Sequence, residues 1–195
     1  MAQTEQKNQN VKKQFEELQS LLERAMALQT SMVLFEWDDE TLAPKGAAEH
    51  TARVIGSLSE QYQEILASMR FKELLDACQK AEKENAGVFD EVQSAILREA
   101  AEEQERLSCI PPEEYRAYAE LTARATGIWT RAREKNDFAS FAPVLKEIIS
   151  YQKKFAAYRA KPGQKLYDVM LDTYEKGFNM EMLDPFFELM KGKIV

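Results

Sequence analysis

The sequence predicts an all-α protein, an antiparallel helical bundle or array, and three observations carry that prediction. Glycine and proline are scarce, at 7 and 6 of 195 residues, while Ala, Glu, Lys, Leu and Gln are abundant. Such straight-chain residues lose little rotamer freedom in a helix. Apolar residues also recur at spacings of three and four, and nowhere does the chain show the two-residue alternation of a strand. No Gly-rich phosphate loop and no internal repeat is present. Helix is expected over roughly three quarters of the chain, well above the base rate of about one third.

Residues 1–10 are polar and read as a flexible tail, ahead of a single helical domain over 11–195. From Val11 the apolar positions Val11, Phe15, Leu18, Leu22 and Ala25 fall four, three, four and three apart, which predicts a long helix to about Phe35. Glu36 to Gly46, punctuated by Pro44 and Gly46, reads as a connector. A second helix is expected from Ala47 to Met69, with Val54, Leu58, Ile65 and Leu66 inward and Gly56 permitting close approach by a neighbour.

A shorter helix, Phe71 to Lys83, should stop near Asn85 and Gly87. Val88 to Leu107 follows, with Val92 and Ile96 inward and an acidic outer face. Pro111 and Pro112 suit the start of the next helix, where a missing N–H costs nothing. That helix carries Tyr115, Tyr118, Leu121, Ala125, Ile128 and Trp129 as far as Lys135. After a turn at Asn136-Asp137, the stripe Phe138, Phe141, Leu145, Ile148 and Phe155 predicts a helix to about Ala160, which Lys161-Pro162-Gly163 breaks. Tyr167 to Tyr174 is a short helix. Asp184-Pro185 reads as the N-cap and first residue of the last one.

Charge narrows the function. The chain holds 26 basic and 33 acidic residues, a net of −7. A field of that sign repels phosphate backbones and anionic lipid, so neither nucleic acid nor membrane is an expected partner. The N-terminus lacks the apolar core of a signal peptide, and the longest dense apolar run, Met32 to Phe35, is too short to span a bilayer. A cytoplasmic location is the expectation, with Cys78 and Cys109 as free thiols.

Few residues offer chemistry. His50 is the only histidine, and a hydrolytic metal site needs several fitting ligands, so His50 is expected at the surface near a helix start. Glu36, Asp38, Asp39 and Glu40 form the one acidic constellation that suggests acid–base work or cation binding. Carboxylates in a connector more commonly cap a helix or face water, and Trp37 among them reads as a packing anchor. Core packing accounts for Trp129, Phe138, Phe141, Tyr151, Phe155 and Tyr158 at helical spacing. Neither cysteine has a histidine partner other than His50, and no Gly-x-Ser-x-Gly elbow occurs.

Three stretches nevertheless resemble one family. Trp37-Asp38-Asp39-Glu40-Thr41, with Pro44, Gly46 and Ala47 following, resembles the Trp-Asp-x-Glu-Thr…Pro-x-Gly-Ala signature of the thermostable (Taq-type) zinc carboxypeptidases. Trp129, Ala132 and Arg133, then Asp137-Phe138, Phe141, Pro143 and Leu145, are similar to that family's Trp-x-x-Ala-Arg…Asp-Phe…Phe-x-Pro-x-Leu helix pair, shared in part with oligoendopeptidases. Tyr167-Asp168-Val169-Met170-Leu171-Asp172-Thr173-Tyr174-Glu175, with Gly177, resembles a third family segment, and Phe187 and Leu189 follow in register. Order and spacing agree from about Trp37 to Val195. Ala43 and Met170 depart from the pattern, where the family has a larger apolar residue and Leu.

The resemblance implies the N-terminal part of a mostly helical, neurolysin-like zincin fold. It also implies a zinc carboxypeptidase that takes peptides as substrate, with these helices lining the groove. The family's His-Glu-x-x-His, later Glu ligand and general base lie downstream of the matched region. No catalytic, cofactor-binding or metal-ligating residue is therefore carried onto this chain, which is expected to be inactive and zinc-free by itself. Phe186 to Val195 stops within an apolar helical pattern, so an exposed apolar face is expected over Phe178 to Val195. Such a face also admits a homodimer. A stand-alone helical interaction module and an oligoendopeptidase-like enzyme are the alternatives.

Overall fold

The structure is a computed structural model, and it describes residues 2–44 and 46–194. Met1, Lys45 and Val195, which belong to the expected tail, connector and last helix, lie outside the described residues. Among the described residues there are eight α-helices and no strand. They are α1 (Ala2–Thr41), α2 (Ala48–Ala67), α3 (Met69–Glu84), α4 (Glu91–Ser108), α5 (Pro112–Glu134), α6 (Phe138–Arg159), α7 (Leu166–Tyr174) and α8 (Met180–Ile194). The chain divides into two compact units, residues 1–144 and 145–195.

In the first unit α1 runs longer than its apolar stripe. Residues 2–10 are helical, and so is Glu36 to Thr41, which corrects the expected connector. Nothing in Glu36-Trp37-Asp38-Asp39-Glu40 breaks a helix, since the first proline comes at Pro44. The helix closes with the Leu42 and Ala43 amides donating to the Asp38 carbonyl, at 2.9 and 2.8 Å. The stripe itself is buried at Val11, Phe15, Leu18 and Ala25.

Caps set the other boundaries. The Ser68 hydroxyl donates to the Ile65 carbonyl at 2.8 Å and accepts from the Phe71 amide at 3.1 Å. One side chain thus ends α2 and starts α3, where the spacing predicted a helix continuing to Met69. Asp90 and Gln93 form a reciprocal capping box at 2.8 and 3.1 Å, so α4 begins at Glu91 rather than Val88. Asn136 takes a left-handed conformation, φ 51°, between α5 and α6, and the Asp137 carboxylate accepts from the Ser140 amide at 3.2 Å.

The core of this unit gathers Leu18 from α1, Leu66 from α2, Phe71, Leu74 and Cys78 from α3, and Leu97 and Leu107 from α4. Each fully buried side chain of this size contributes about 1.5–3 kcal/mol from apolar area removed from water. Phe15 and Phe89 meet with ring centroids 5.1 Å apart. Val92, expected inward, is exposed, because the buried face of α4 runs through Leu97, Ala100, Gln104 and Leu107.

The inner face of α2 is also rotated from the expected one. Ala52, Ile55, Gly56, Ser59, Tyr62, Gln63 and Leu66 are buried, whereas Val54, Leu58 and Ile65 are half-buried. The small side chains Ala52, Gly56 and Ser59 let α5 approach closely, and α2 packs against α1, α3, α4 and α5. A Cβ on Gly56 would collide with the Glu120 side chain of α5. Glu120 in turn pairs with Arg116 at 3.0 Å, and Arg116 reaches Glu60 of α2 at 2.9 Å.

Gln63 fastens the same helix at a different point. It is fully buried, and its Nε2 donates to the Leu107 and Ile110 carbonyls at 3.1 and 2.6 Å. Leu107 lies in the last turn of α4, where its carbonyl also accepts from the Ile110 amide at 3.1 Å, and Ile110 follows the helix. Nearby, the Tyr62 hydroxyl donates to Glu103 at 2.9 Å, which also pairs with Arg106.

In the second unit Phe155, Ala156 and Val169 are buried. The Asp168 carboxylate accepts from the Met180 amide at 2.9 Å, and the Asn179 side chain accepts from the Met182 amide at 3.0 Å. These bonds start α8 at Met180, so Pro185 lies inside the helix and not at its first position. The turn residues Lys161-Pro162-Gly163 separate α6 from α7 as expected, with Gly163 at φ 81°.

Neither Cys78 nor Cys109 is in a disulfide. Cys78 is buried in α3, and desolvation pushes its thiol up to about 11. Cys109 is half-buried at the end of α4, with its thiol directed to the Arg106 carbonyl at 3.6 Å.

Three outcomes follow from this packing. Replacing Gln63→Leu keeps the volume but removes the side-chain donor shared by the Leu107 and Ile110 carbonyls, and urea unfolding should show a loss of about 1–3 kcal/mol with little change in slope. Gly56→Val should cost about 1–3 kcal/mol in the same measurement, with Gly56→Ala costing less because alanine regains helix propensity of about 1 kcal/mol. At pH 8 an aromatic disulfide reagent should label Cys109 in the native protein and Cys78 only upon unfolding.

Candidate functional site

The continuation of α1 through Thr41 changes what the acidic constellation is. On a helix, Glu36, Asp39 and Glu40 are spaced to share one face, while Asp38 falls elsewhere. These three line a cleft of about 270 Å3 where the end of α1 meets α2 and α5. Ala48, Thr51, Ala52 and Ile55 of α2 contribute its largely apolar floor, and Thr122, Ala123 and Thr126 of α5 contribute the far wall. Partial burial raises the Glu36 carboxyl above the usual carboxylate range, and the charge of Glu40 adds to the rise.

The hydroxyls of that wall are already committed as donors. Thr122 donates to the Tyr118 and Ala119 carbonyls, both at 3.1 Å, and Thr126 reaches the Thr122 carbonyl at 3.5 Å. Arg53 of α2 and Arg124 of α5 both reach Glu49, at 3.7 and 3.8 Å. Sequence reasoning missed Thr51, Thr122 and Thr126 as site residues. The four-residue spacing of Thr122 and Thr126 was the available signal, but isolated threonines are common in helices.

The other candidates are placed apart from this cleft. His50 is exposed in the first turn of α2 and does not line it. Trp37, expected as an anchor, is 56% exposed on α1. The aromatic group expected in the core is mostly at the surface, with Trp129 44% and Phe138 67% exposed, Phe141 and Tyr151 half-buried and Tyr158 exposed. Phe155 alone of that group is buried. Trp129 carries the Arg133 guanidinium 5.2 Å from its ring centroid instead. Among the described residues no group of three or more His, Cys, Asp or Glu could hold a metal ion, so the zinc that the resemblance implies finds no fitting set of ligands there.

A second feature belongs to residues 145–195. No residue of α8 is buried, although Met182, Phe186, Phe187, Leu189, Met190 and Ile194 all lie on it. Phe178 ahead of it is exposed too, as expected for this stretch. A helix that is apolar over so wide an arc ordinarily lies under other protein. Among the described residues no helix is long and apolar enough to cross a membrane.

The chain is 33% identical over 175 residues to carboxypeptidase 1 of Bacillus subtilis (strain 168), covering 90% of this chain and 34% of that protein. It is 30% identical to thermostable carboxypeptidase 1 of Pyrococcus furiosus, covering 88% of this chain and 33% of that one. The crystal structure of BsuCP superimposes with a TM-score of 0.86 at 32% identity, over 92% of this chain and 35% of that one. Pyrococcus furiosus carboxypeptidase gives 0.71 at 28% identity, covering 92% and 35%. The chain thus spans about a third of the length of the curated relatives it matches. Residues 17–195 match the carboxypeptidase Taq (M32) metallopeptidase family, and the chain belongs to that family.

Proposed function

We propose that this chain is the N-terminal helical part of a zinc metallocarboxypeptidase that removes C-terminal amino acids from peptides. In this reading the helices line the substrate groove and are inactive by themselves, and the metal and its general base reside in the remaining two thirds of a full-length relative. The observation that carries the reading is the family match over 17–195, together with coverage of only a third of each relative. The unburied apolar helix α8 supports it, since a helix of that character suits an interface with further polypeptide. The same face supports a second reading, a helical module that binds a protein partner or a second copy of itself.

Metal analysis and peptidase assay of the purified 195-residue chain separate these ideas from an autonomous enzyme. The expected result is no stoichiometric zinc and no release of C-terminal amino acids from blocked dipeptides. Chelator-sensitive turnover by this chain alone, or one tightly held zinc per chain, overturns the proposal.

A further inference from the structure

We propose that α8 pairs antiparallel with α8 of a second copy of this chain, Asp184 of each copy meeting Lys191 of the other. This rests on the reading of α8 as a face for further protein and deepens it by naming the occupant.

The pattern along α8 is that of a two-stranded seam. Met180, Leu183, Phe187, Met190 and Ile194 fall three, four, three and four apart, the heptad spacing at which one helix packs along another. Met180 and Leu183 are half-buried, whereas Phe187, Met190 and Ile194 are 53%, 38% and 73% exposed, so the free seam is the C-terminal half of the helix. Met182, Phe186 and Leu189 widen its apolar arc. By periodicity Pro185 and Gly192 fall on the opposite side, where they obstruct nothing.

Charge selects the occupant and its direction. Glu181, Asp184 and Glu188 precede Lys191 and Lys193, so each copy of α8 runs from negative to positive. Asp184 and Lys191 each follow a seam residue, Leu183 and Met190, and stand seven residues apart, hence on one edge of the seam. Antiparallel helices bring like edges together. About a two-fold axis between Phe187 and Met190, each Phe187 layers on the other copy's Met190 and each Leu183 on its Ile194. Asp184 then stands beside Lys191 twice over. A parallel pair joins opposite edges instead, setting Lys191 beside Phe186 and Asp184 beside Asn179, with no opposite charges matched.

The remaining groups suit the same arrangement. On the second edge Phe186 meets Lys193, whose stem can lie along the ring with its ammonium in water. Within one copy Lys191 reaches Glu188 at 2.6 Å, with side chains 69% and 72% exposed. An exposed pair of that kind contributes little and yields readily to a further carboxylate. Fifteen residues make a helix about 22 Å long, and a helix pair of that length covers less than the roughly 800 Å2 per partner of a standard interface. The dimer is therefore one that dissociates on dilution.

Sedimentation equilibrium of the 195-residue chain over a dilution series tests this. A reversible monomer–dimer equilibrium is expected, and Phe187→Ser should abolish it. Asp184→Lys and Lys191→Asp each turn two matched contacts into two like-charge ones, and each should weaken self-association about tenfold. Mixing these two variants in equal amounts should recover dimer, because every contact across the axis then pairs opposite charges again. No residue of α8 is buried, so none of the replacements removes core packing. A chain that stays monomeric throughout the series overturns the proposal, as does a dimer indifferent to Phe187→Ser. Failure of the variant mixture to recover dimer overturns it too. Those failures leave the carboxypeptidase reading to the metal and peptidase assays, and zinc-dependent turnover by the chain alone sinks that reading without touching self-association.

Discussion

The close approach of α2 to α5 governs the first unit, because α2 touches four other helices and can do so only while one of its faces stays thin. Ala52, Gly56 and Ser59 supply the thin face, and the side chains that would otherwise fill the space come from the partner, with Glu120 lying where a Gly56 Cβ would be. The Ser59 hydroxyl returns to the Gly56 carbonyl at 2.8 Å, so even the polar group on this face is satisfied within the helix. On the adjoining face Gln63 closes the end of α4 through its amide nitrogen, although its Oε1 has no partner there. A buried polar group of that kind fixes the axial register of α2 against α4, since a shift by one turn would strand the amide and take its donor from the Ile110 carbonyl.

Much of this was legible in the residues, and the failures have physical causes. The α1 stripe, the Pro112 start, the Gly87 stop and the break at Lys161-Pro162-Gly163 were each written in patterns that leave the backbone few alternatives. The inner face of α2 was misread because large apolar residues were assumed to point inward. Close helix packing reverses that preference: small residues occupy the contact while Val54 and Leu58 sit at its margin. The start of α8 was misassigned because Asp184-Pro185 has the chemistry of a helix start, and the true start depends on Asp168, which reaches across from α7. Such a cap belongs to tertiary structure and leaves no local trace.

The acidic cluster shows how a boundary error becomes a functional one. Read as a connector, Glu36 to Glu40 present carboxylates in no particular direction. As the last turns of a helix, they sort by periodicity, and Glu36, Asp39 and Glu40 line one cleft that Asp38 and Trp37 do not. The threonines opposite were invisible for the opposite reason. They lie in α5, whose sequence signalled only that it is a helix, and their relation to the cluster exists solely through the α2–α5 contact. A site of this type is assembled by packing, so no motif scan of the chain could have brought its walls together.

The family resemblance and the cleft answer to different physical features of the same molecule. The resemblance rests on segments such as Trp37-Asp38-Asp39-Glu40-Thr41 and Tyr167-Asp168, and in the structure some of their residues perform structural work. Asp168 starts α8, and the Asp38 carbonyl closes α1. The side chains of Trp37, Trp129 and Phe138 are instead large, apolar and exposed. Aromatic side chains that a family signature retains, yet that bury little of themselves here, are what a surface meant for further contact requires. The same argument applies to α8 more strongly, because an isolated apolar helix of fifteen residues has little intrinsic stability in water and depends on burial for its persistence. The exposed faces of this chain thus hold unused packing capacity, whereas its acidic cleft is an open one bounded by three helices of the first unit.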